Sequence, residues 1–317
     1  MTAWRVRAFE DRDYTAYARI ARLQSVRGGD AAGARAEDAR RDPRADLTRV
    51  VAVDEEDAPV GYGSIFHDLG RYDPRRYVLD LGVDTSLRRR GIGDALWERI
   101  RAELASRGAE VVGLWAGDAT ACQSFIAKRG FAEVGRMYQQ VIAVTAAPLP
   151  TRAAEERVTA KGIAITTLAA LRDAVGDDLA LEAAWDLHSA CRLEFVTLGR
   201  ATPQPFAEWR EENVAAGSSL PDAHFIALDG SRYVGVCSLA RETDDTLRIG
   251  LTGVLPAYRR RGIARLLKLR AHAWARAHGF QEIHTTTTKA NAAMLALNDA
   301  LGYPIVGSWG GYELRLG

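Results

Sequence analysis

Apolar residues recur with the same spacing in two stretches of the chain, one in each half. In the later stretch they fall at i, i+3, i+4, i+8 and i+11, which is one face of a helix. The residues are Ile263, Leu266, Leu267, Ala271 and Trp274. A matching face in the earlier stretch is formed by Ile92, Ala95, Leu96, Ile100 and Leu104. The pattern predicts one amphipathic helix in each half.

Strand-like segments flank each predicted helix. YVLDLGV (77–83) and LRIGLTGV (247–254) precede the helices, and EVVGLW (110–115) and EIHTTT (282–287) follow them. A second helix and a closing pair of short strands come next in each half, and WRVRAF and GIAITTL open the halves. The order strand, helix, strand, helix predicts a mixed α/β sheet with a crossover in each half.

The two halves also share sequence. Residues 83–96 read VDTSLRRRGIGDAL and residues 254–267 read VLPAYRRRGIARLL, so that Val83 and Val254 stand 171 residues apart. A second match pairs 128–131 with 300–303, where Gly-Phe and Gly-Tyr end the next helix. Two ordered matches indicate a duplicated domain.

The duplication suggests domain boundaries. We predict an N-terminal domain over 1–145, a linker with one exposed turn over 146–161, and a C-terminal domain over 162–317. The linker carries two prolines and no sustained apolar period. The second copy also holds a longer helical region, predicted from about Asp178 to Phe195 and from Pro205 to Val214.

Composition narrows the class of protein. The chain has 317 residues, 47% of them hydrophobic, with 42 basic against 41 acidic side chains. Near-neutral charge disfavours a nucleic-acid partner. The sequence has no run of about 18 apolar residues, so it predicts no membrane span. Three widely spaced cysteines and the polar first residues predict a cytoplasmic protein with reduced thiols. The histidine and cysteine spacing predicts no metal site.

The repeated Arg-Arg-Arg-Gly-Ile turn has the outline of a phosphate-binding device. Backbone amides at a helix start have no internal partner and carry positive partial charge, and glycine lets an anion approach closely. The turn is neither a Walker A loop nor a dinucleotide fingerprint. A solvated basic turn explains one copy equally well, but two copies in the same strand–turn–helix context favour an anion site.

These motifs resemble the acetyl-CoA motif of the GNAT superfamily of N-acetyltransferases. Arg88-x-x-Gly91-x-Gly93 and Arg259-x-x-Gly262-x-Ala264 both match its R/Q-x-x-G-x-G/A pattern. The tandem arrangement is distantly similar in architecture to mycothiol synthase. The resemblance implies two tandem domains, each with a central mixed, mostly antiparallel sheet flanked by helices.

The resemblance also implies acetyl-CoA-binding residues in both copies. In the second copy these are Val254, Leu255, Arg259, Arg260, Arg261, Gly262, Ile263, Ala264, Asn291 and Asn298. In the first copy they are Val83, Arg88, Arg89, Arg90, Gly91, Ile92 and Gly93. The strand before each loop is expected to splay from its neighbour, and Asn291 is expected to bind the arm of the cofactor.

No catalytic residue is assigned. The superfamily often places a tyrosine acid seven residues after the asparagine, but Asn298 and Ile126 stand there. Asp80 lies mid-strand near the expected acyl position, although an outward-pointing carboxylate is the alternative. Further candidates also have structural explanations. A hairpin turn explains Glu242, Asp244 and Asp245, and a packed or surface histidine explains His284. A surface helix explains His188 and Glu194, and core or lid packing explains Trp185 and Trp209.

The expected activity is acetyl-CoA-dependent N-acetylation of a primary amine on an unidentified small molecule, with no metal. The loop, Asn291 and the larger helical region favour the C-terminal half as the active copy. A non-catalytic acyl-CoA-binding or regulatory module and a protein N-acetyltransferase remain alternatives. The oligomeric state is open, and a duplicated chain is compatible with a monomer.

Overall fold

The computed structural model describes residues 4–23, 30–193 and 199–317. Twelve strands are found in this described part of the chain. They are β1 (Arg5–Ala8), β2 (Thr48–Val53), β3 (Pro59–Phe66), β4 (Arg76–Val83), β5 (Val111–Gly117), β6 (Ala132–Ala143), β7 (Ile163–Thr167), β8 (Ser219–Asp229), β9 (Arg232–Arg241), β10 (Thr246–Val254), β11 (Glu282–Thr288) and β12 (Ile305–Arg315).

Ten α-helices are found in the same described ranges. They are α1 (Tyr14–Arg22), α2 (Ala31–Arg40), α3 (Ile92–Ser106), α4 (Thr120–Lys128), α5 (Arg152–Thr159), α6 (Leu168–Val175), α7 (Asp177–Arg192), α8 (Phe206–Arg210), α9 (Ile263–Ala277) and α10 (Ala292–Asp299). Within the described residues, no helix is both long and apolar enough to cross a membrane.

The chain divides into two compact units with the same sheet plan. The N-terminal unit is Met1–Gly135 with Trp309–Gly317, and the C-terminal unit is Arg136–Ser308. The N-terminal sheet has the order β1-β2-β3-β4-β5-β12, and the C-terminal sheet has the order β7-β8-β9-β10-β11-β6. In each sheet one neighbouring pair is parallel, β4 with β5 and β10 with β11, and the other four pairs are antiparallel. The predicted mixed, mostly antiparallel sheets flanked by helices are confirmed.

The last strand of each unit comes from the other half of the sequence. Trp309–Arg315 of β12 pairs with β5, and Met137–Ala143 of β6 pairs with β11. Each half ends in one long strand instead of the predicted pair of short strands. The Gly310-Gly311 pair within β12 forms no turn, because both residues pair with β5. The units accordingly divide at residues 135 and 308, whereas the repeat suggests a domain end at residue 145.

The segment between the repeats is more ordered than expected from its composition. Residues 152–159 form α5, whose start is capped by the Thr151 hydroxyl accepting from the Ala154 amide at 3.2 Å. Val158 is 1% exposed and packs in the core of the C-terminal unit. The predicted exposed turn is thus an eight-residue helix that is held in place by burial of an apolar side chain.

The predicted amphipathic helices are present and bury the expected faces. In α3 the buried residues include Ile92, Leu96, Ile100 and Leu104, and in α9 they include Ile263, Leu266, Leu267 and Ala271. The predicted helical region of the second copy is also present as α7 and α8. Its expected end at Phe195 lies outside the described residues. The first copy has helices at the corresponding place, α1 and α2, which the sequence pattern did not reveal.

Candidate functional site

In each unit the two parallel strands pair briefly and then part. Only Arg76–Val78 of β4 pairs with β5, and only Thr246–Arg248 of β10 pairs with β11. Both β4 and β10 continue for five or more residues beyond this point, still bonded to their antiparallel neighbours. One backbone edge of each strand therefore has no strand partner beyond this point in the described residues, and the two strands splay as the resemblance implied.

The parted strands lead into loops of the same conformation. Arg89 and Gly91 have φ values of 65° and 85°, and Arg260 and Gly262 have 63° and 88°. Gly91 and Gly262 are the N-cap residues of α3 and α9. This left-handed region suits glycine but strains arginine, and successive turns of this kind aim backbone amides at a common anion.

Ile92 and Ile263 follow these glycines and are each no more than 2% exposed. Their side chains anchor the loops in the core, so that only their amides can face an anion. Arg259 Nε donates to the Val254 carbonyl at 3.0 Å, and a guanidinium nitrogen of Arg261 donates to the Ala257 carbonyl at 3.0 Å. These two arginines therefore brace the C-terminal loop as well as adding charge to it.

The surroundings of the two loops differ in charge. In the C-terminal unit, α5 lies beside Gly262, with Arg157 Cδ 3.7 Å from the position of a Cβ on that glycine. Lys161 Nζ donates to the Arg261 carbonyl at 3.2 Å. In the N-terminal unit, Trp4 Nε1 donates to the Arg90 carbonyl at 2.7 Å instead. The indole of Trp4 therefore lies beside the N-terminal loop, whereas the cations Arg157 and Lys161 lie beside the C-terminal loop.

The first helical turns also differ. The first turn of α3 carries Asp94, which forms ion pairs with Lys128 and Arg129. These partners hold the pKa of Asp94 below its usual value. The equivalent residue of α9 is Arg265, 171 positions later. A negative charge at this position opposes a phosphate and a positive one attracts it, so the charge here is more favourable to an anion in the C-terminal unit.

Beside the parted strands, a row of three residues crosses each sheet. Strand pairing places Arg49 opposite Ser64 and Ser64 opposite Asp80 in the N-terminal unit. In the C-terminal unit it places His224 opposite Ser238 and Ser238 opposite Leu251. The rows are equivalent because Asp80 and Leu251 each lie three residues before the strand-ending valine.

The C-terminal strand has a bulge next to this row. The pairing of β10 with β9 shifts between Ile249 and Leu251, and Ser238 Oγ accepts from the Leu251 amide at 3.2 Å. A Cβ on Gly250 would lie 3.1 Å from Ser238 Oγ, so glycine fits this close approach. In the N-terminal unit, β3 and β4 pair without a shift. The bulge turns backbone groups of β10 away from the regular ladder.

The row and helices of the N-terminal unit form a charged cluster, which we call the N-terminal cluster. It consists of Tyr17, Asp38, Arg49, Tyr62, Ser64 and Asp80. Arg49 donates to Asp38 at 2.5 Å and to Ser64 Oγ at 3.0 Å, and its guanidinium lies 4.0 Å from the centre of the Tyr17 ring. Tyr62 OH donates to Asp80 at 3.2 Å. Asp80 faces this cluster, and burial raises the pKa of its carboxyl.

The equivalent group in the C-terminal unit, the C-terminal cluster, has no carboxylate or guanidinium. It consists of His188, Trp209, His224, Ser238 and Leu251. Burial lowers the pKa of both His188 and His224 to about 4, so both are neutral at pH 7. Among the described residues, His188 Nδ1 and Trp209 Nε1 are buried without a hydrogen-bond partner. Such groups favour a ligand or water that supplies the missing bonds.

The structure places the two predicted asparagines differently from each other. Asn291 is the N-cap of α10, with its Oδ1 accepting from the Met294 amide at 3.1 Å. Asn298 is 0% exposed, and its amide donates to Gln140 at 2.8 Å and Thr287 at 3.1 Å. Because Asn298 bonds inside the core, we leave it out of the proposed cofactor site.

Other predicted candidates have structural partners. His284 contacts Glu242 and Glu282, at 2.7 and 3.1 Å, as expected for a surface histidine. Trp209 is fully buried, and Trp185 Nε1 donates to the Gln204 carbonyl at 2.9 Å. Asp244 lies in an exposed turn, and Glu194 lies outside the described residues. The described residues hold no group of three His, Cys, Asp or Glu side chains suited to a metal ion.

Sequence reasoning missed Arg49, His224, Ser238 and Gly250. The repeat match covers the strand–loop–helix segment but not the preceding strands, where the two copies differ in spacing. Only the strand register brings Arg49 and His224 to equivalent places. The offset of 171 does, however, relate Tyr17 to His188 and Asp38 to Trp209. Extending the repeat in this way would have indicated that these residues occupy equivalent places in the two halves.

The family comparison matches both halves. The profile of the Acetyltransferase (GNAT) family matches residues 11–131 and 181–303. A comparison with curated proteins found no match. This double match covers most of the chain, which therefore belongs to the GNAT family.

Solved structures share the fold. A GCN5-related N-acetyltransferase from Sphaerobacter thermophilus is 17% identical with a TM-score of 0.72, and the match covers 99% of this chain and 96% of that one. A tandem GNAT protein from the clavulanic acid biosynthesis pathway is 16% identical with a TM-score of 0.71 and 99% coverage of both chains. A GCN5-related glucosamine N-acetyltransferase region of a fungal multi-domain β-N-acetylglucosaminidase is 14% identical with a TM-score of 0.73. That match covers 99% of this chain and 38% of the fungal one. These similarities establish a tandem GNAT fold.

Proposed function

We propose that the protein is an acetyl-CoA-dependent N-acetyltransferase in which the C-terminal half transfers the acetyl group to a small primary amine. The observation that carries the proposal is the course of β10. This strand parts from β11, bulges against β9 and leads directly into the Gly262 loop. The loop is surrounded by basic side chains, and its helix carries Arg265 where the other half has Asp94.

The residues would divide the binding of acetyl-CoA between them. The parted edge of β10, ending at Val254 and Leu255, would bind the pantetheine arm through backbone hydrogen bonds. The amides of Arg260 through Ala264 would bind the pyrophosphate, because first-turn amides have no intrahelical partner. Arg157 and Lys161 would add charge-assisted contacts. The N-terminal residues Val83, Arg88, Arg89, Arg90, Gly91, Ile92 and Gly93 would form a weaker second site.

The chemistry would be direct attack of a neutral amine on the thioester carbonyl. A carbon–nitrogen bond forms, the carbon–sulfur bond breaks, and the proton lost by nitrogen balances the one gained by the CoA thiolate. Backbone amides turned outward by the bulge at Gly250 would stabilise the developing oxyanion. No described side chain of the C-terminal cluster is a carboxylate, so we assign no general base or acid.

Two alternatives follow from particular observations. The missing tyrosine acid and the buried Asn298 fit a non-catalytic acyl-CoA-binding or regulatory module. A protein N-acetyltransferase would use the same cofactor site with a polypeptide acceptor. We favour a small acceptor. We favour a cytoplasmic location, since the three widely spaced cysteines suit reduced thiols. We favour a monomer, since the chain already contains two GNAT units.

An acetylation assay tests the proposal. The protein would be incubated with acetyl-CoA and a panel of small amines, with thiol release and product mass measured together. We expect Gly262→Asp to abolish transfer and Gly91→Asp to retain it. The two variants are matched because both glycines have the same positive φ.

Each alternative predicts its own result. Binding of acetyl-CoA with no acetylated product from amines or peptides would favour the binding module. Acetylation of peptides alone would favour the protein acetyltransferase. Loss of transfer in Gly91→Asp but not in Gly262→Asp would move the active site to the N-terminal half.

A further inference from the structure

One carbonyl in the loop before α3, and one in the loop before α9, is held by a side chain from outside the loop. In the N-terminal unit Trp4 Nε1 donates to the Arg90 carbonyl at 2.7 Å, and in the C-terminal unit Lys161 Nζ donates to the Arg261 carbonyl at 3.2 Å. Arg90 and Arg261 are equivalent, 171 positions apart. Each donor lies just before the first strand of its unit, β1 or β7. The two units therefore hold the same carbonyl from the same place, one with an indole and the other with an ammonium group.

The held carbonyl belongs to the peptide that joins Arg261 to Gly262. A peptide is planar and trans, so its N–H points opposite to its C=O. Holding the Arg261 carbonyl therefore also fixes the direction of the Gly262 amide. Gly262 has a φ of 88°, and a residue without a Cβ adopts negative φ about as readily. This peptide can consequently turn over with little backbone strain unless its carbonyl is held.

The backbone that carries Lys161 is anchored beside the loop. Val158, near the end of α5, is 1% exposed, and Ile163, the first residue of β7, is 2% exposed. The Lys161 amide donates to the Val158 carbonyl at 3.1 Å. A Cβ on Gly262 would lie 3.7 Å from a methyl carbon of Val158. Two buried side chains thus fix the position from which the lysine reaches the loop.

We propose that Lys161 is a positioning residue for acetyl-CoA, because its hold on the Arg261 carbonyl keeps the Gly262 amide directed at the pyrophosphate. This inference rests on the proposed function, in which the amides of residues 260–264 bind that group. An ammonium group has three N–H donors, so it can hold the carbonyl and also add positive charge beside the anion. Trp4 has a single N–H and no charge, so it can only hold the carbonyl. The two loops therefore differ in what the holding group contributes.

Calorimetric titration of the full chain with acetyl-CoA measures the contribution of Lys161. Lys161→Met nearly keeps the length of the side chain but removes its donors, and it should weaken binding by about tenfold. Lys161→Arg retains a charged donor and should restore most of the affinity. The matched control is Arg152→Met, at the opposite end of α5, where the side chain is 92% exposed and pairs with Glu156. It removes the same charge from the same segment and should bind as the wild type does.

The Gly262 amide can also be followed without any ligand. In protein made with isotope-labelled glycine, its NMR signal should be sharp in the wild type and in Arg152→Met. In Lys161→Met the signal should be shifted or broadened, because the peptide exchanges between two orientations. Trp4→Phe removes the indole N–H and should change the Gly91 signal in the same way. Lys161 is exposed, so its substitutions should leave the protein folded.

Three results would overturn the proposal. They are normal acetyl-CoA binding by Lys161→Met, equal weakening by Arg152→Met, and an unchanged Gly262 signal in Lys161→Met. Failure of the proposed function gives a different result, in which the wild type binds no acetyl-CoA. The Gly262 signal of the ligand-free protein then still decides whether Lys161 holds the loop.

Discussion

The two halves of this GNAT chain use one backbone plan to hold opposite chemistry. In the N-terminal unit the row across the sheet is Arg49, Ser64 and Asp80, and in the C-terminal unit it is His224, Ser238 and Leu251. The loops also differ in charge, since the first turn of α3 carries the acid Asp94 and the first turn of α9 carries the base Arg265. The repeated glycines give both loops the same conformation, while the charged residues around them differ between the halves.

The largest expected effect contrasts the response of the two clusters to acid. His188 and His224 have folded pKa values near 4, below the unfolded value of 6.5. Their neutral forms stabilise the C-terminal unit above pH 6.5, and this contribution is lost as the pH falls from 6.5 towards 4. Between pH 7 and pH 5 the loss is roughly 2 kcal/mol for each histidine.

Denaturant unfolding at the two pH values measures this loss. The double variant His188→Gln, His224→Gln should lose much less stability on acidification than the wild type. His278→Gln, at an exposed position, should lose as much as the wild type does. Equal acid sensitivity of the double variant and the wild type would show that these histidines are not buried as neutral groups.

A comparable effect is expected where each strand meets its covering helix. A Cβ on Gly253 would lie 2.6 Å from Cys191 Cβ, whereas one on Gly82 would lie 2.5 Å from a ring atom of Tyr62. The Cys191 Cβ is bonded directly to the backbone of α7, whereas the Tyr62 ring atoms lie further out on their side chain and can shift more. Gly253→Ala should therefore destabilise by about 1–3 kcal/mol, and Gly82→Ala by less. Thermal unfolding of both variants tests this order, and greater damage from Gly82→Ala would contradict it.

Charge in the first helical turn gives the next effect. Arg265→Asp should weaken acetyl-CoA binding by about tenfold, since it replaces an attractive charge by a repulsive one beside the anion site. Asp94→Arg should strengthen any binding by the N-terminal loop. Titrations at low and high salt would compare the two, because the effect should shrink with screening. An Arg265→Asp variant that binds normally would remove this basis for ranking the loops.

The opposite pH dependence is expected for Asp80. Its raised pKa means that the folded state holds the proton to higher pH than the unfolded chain does. Its contribution to stability is therefore present at low pH and lost as the pH rises through the folded pKa. Asp80→Asn should gain stability relative to the wild type between pH 4 and pH 8 in denaturant unfolding. A constant difference across this range would argue against the raised pKa.

The smallest effect concerns the bulge. Ser238→Ala removes the hydroxyl that accepts from the Leu251 amide, and Ser64→Ala removes one that accepts from Arg49. Each should cost about 1 kcal/mol of stability. Only Ser238→Ala should also slow acetyl transfer, because its hydroxyl supports the bulge of the strand whose opposite edge is proposed to bind the acyl group. Equal rates in both serine variants and the wild type would exclude the bulge from the reaction.

The repeated Arg-Arg-Arg-Gly-Ile motif was sufficient to predict the strand, loop and helix around Gly91 and Gly262, because glycine conformation and helix periodicity are local properties. The origin of each last strand was not predictable, since β6 and β12 have the same pattern whichever sheet they join. Whether the Asp80 side chain points into the protein or outward could also be determined only from the structure. Alternation along β4 gives two faces but does not show that the face of Asp80 is covered by Tyr62 and α1.

Calorimetric titration shows whether the C-terminal loop is the principal acetyl-CoA site. Wild type, Gly91→Asp and Gly262→Asp would each be titrated with acetyl-CoA after circular dichroism shows that they are folded. We expect the tight site to persist in Gly91→Asp and to disappear in Gly262→Asp. Loss of the tight site in Gly91→Asp alone would place that site in the N-terminal loop, and no binding by the wild type would rule out an acetyl-CoA site in either loop.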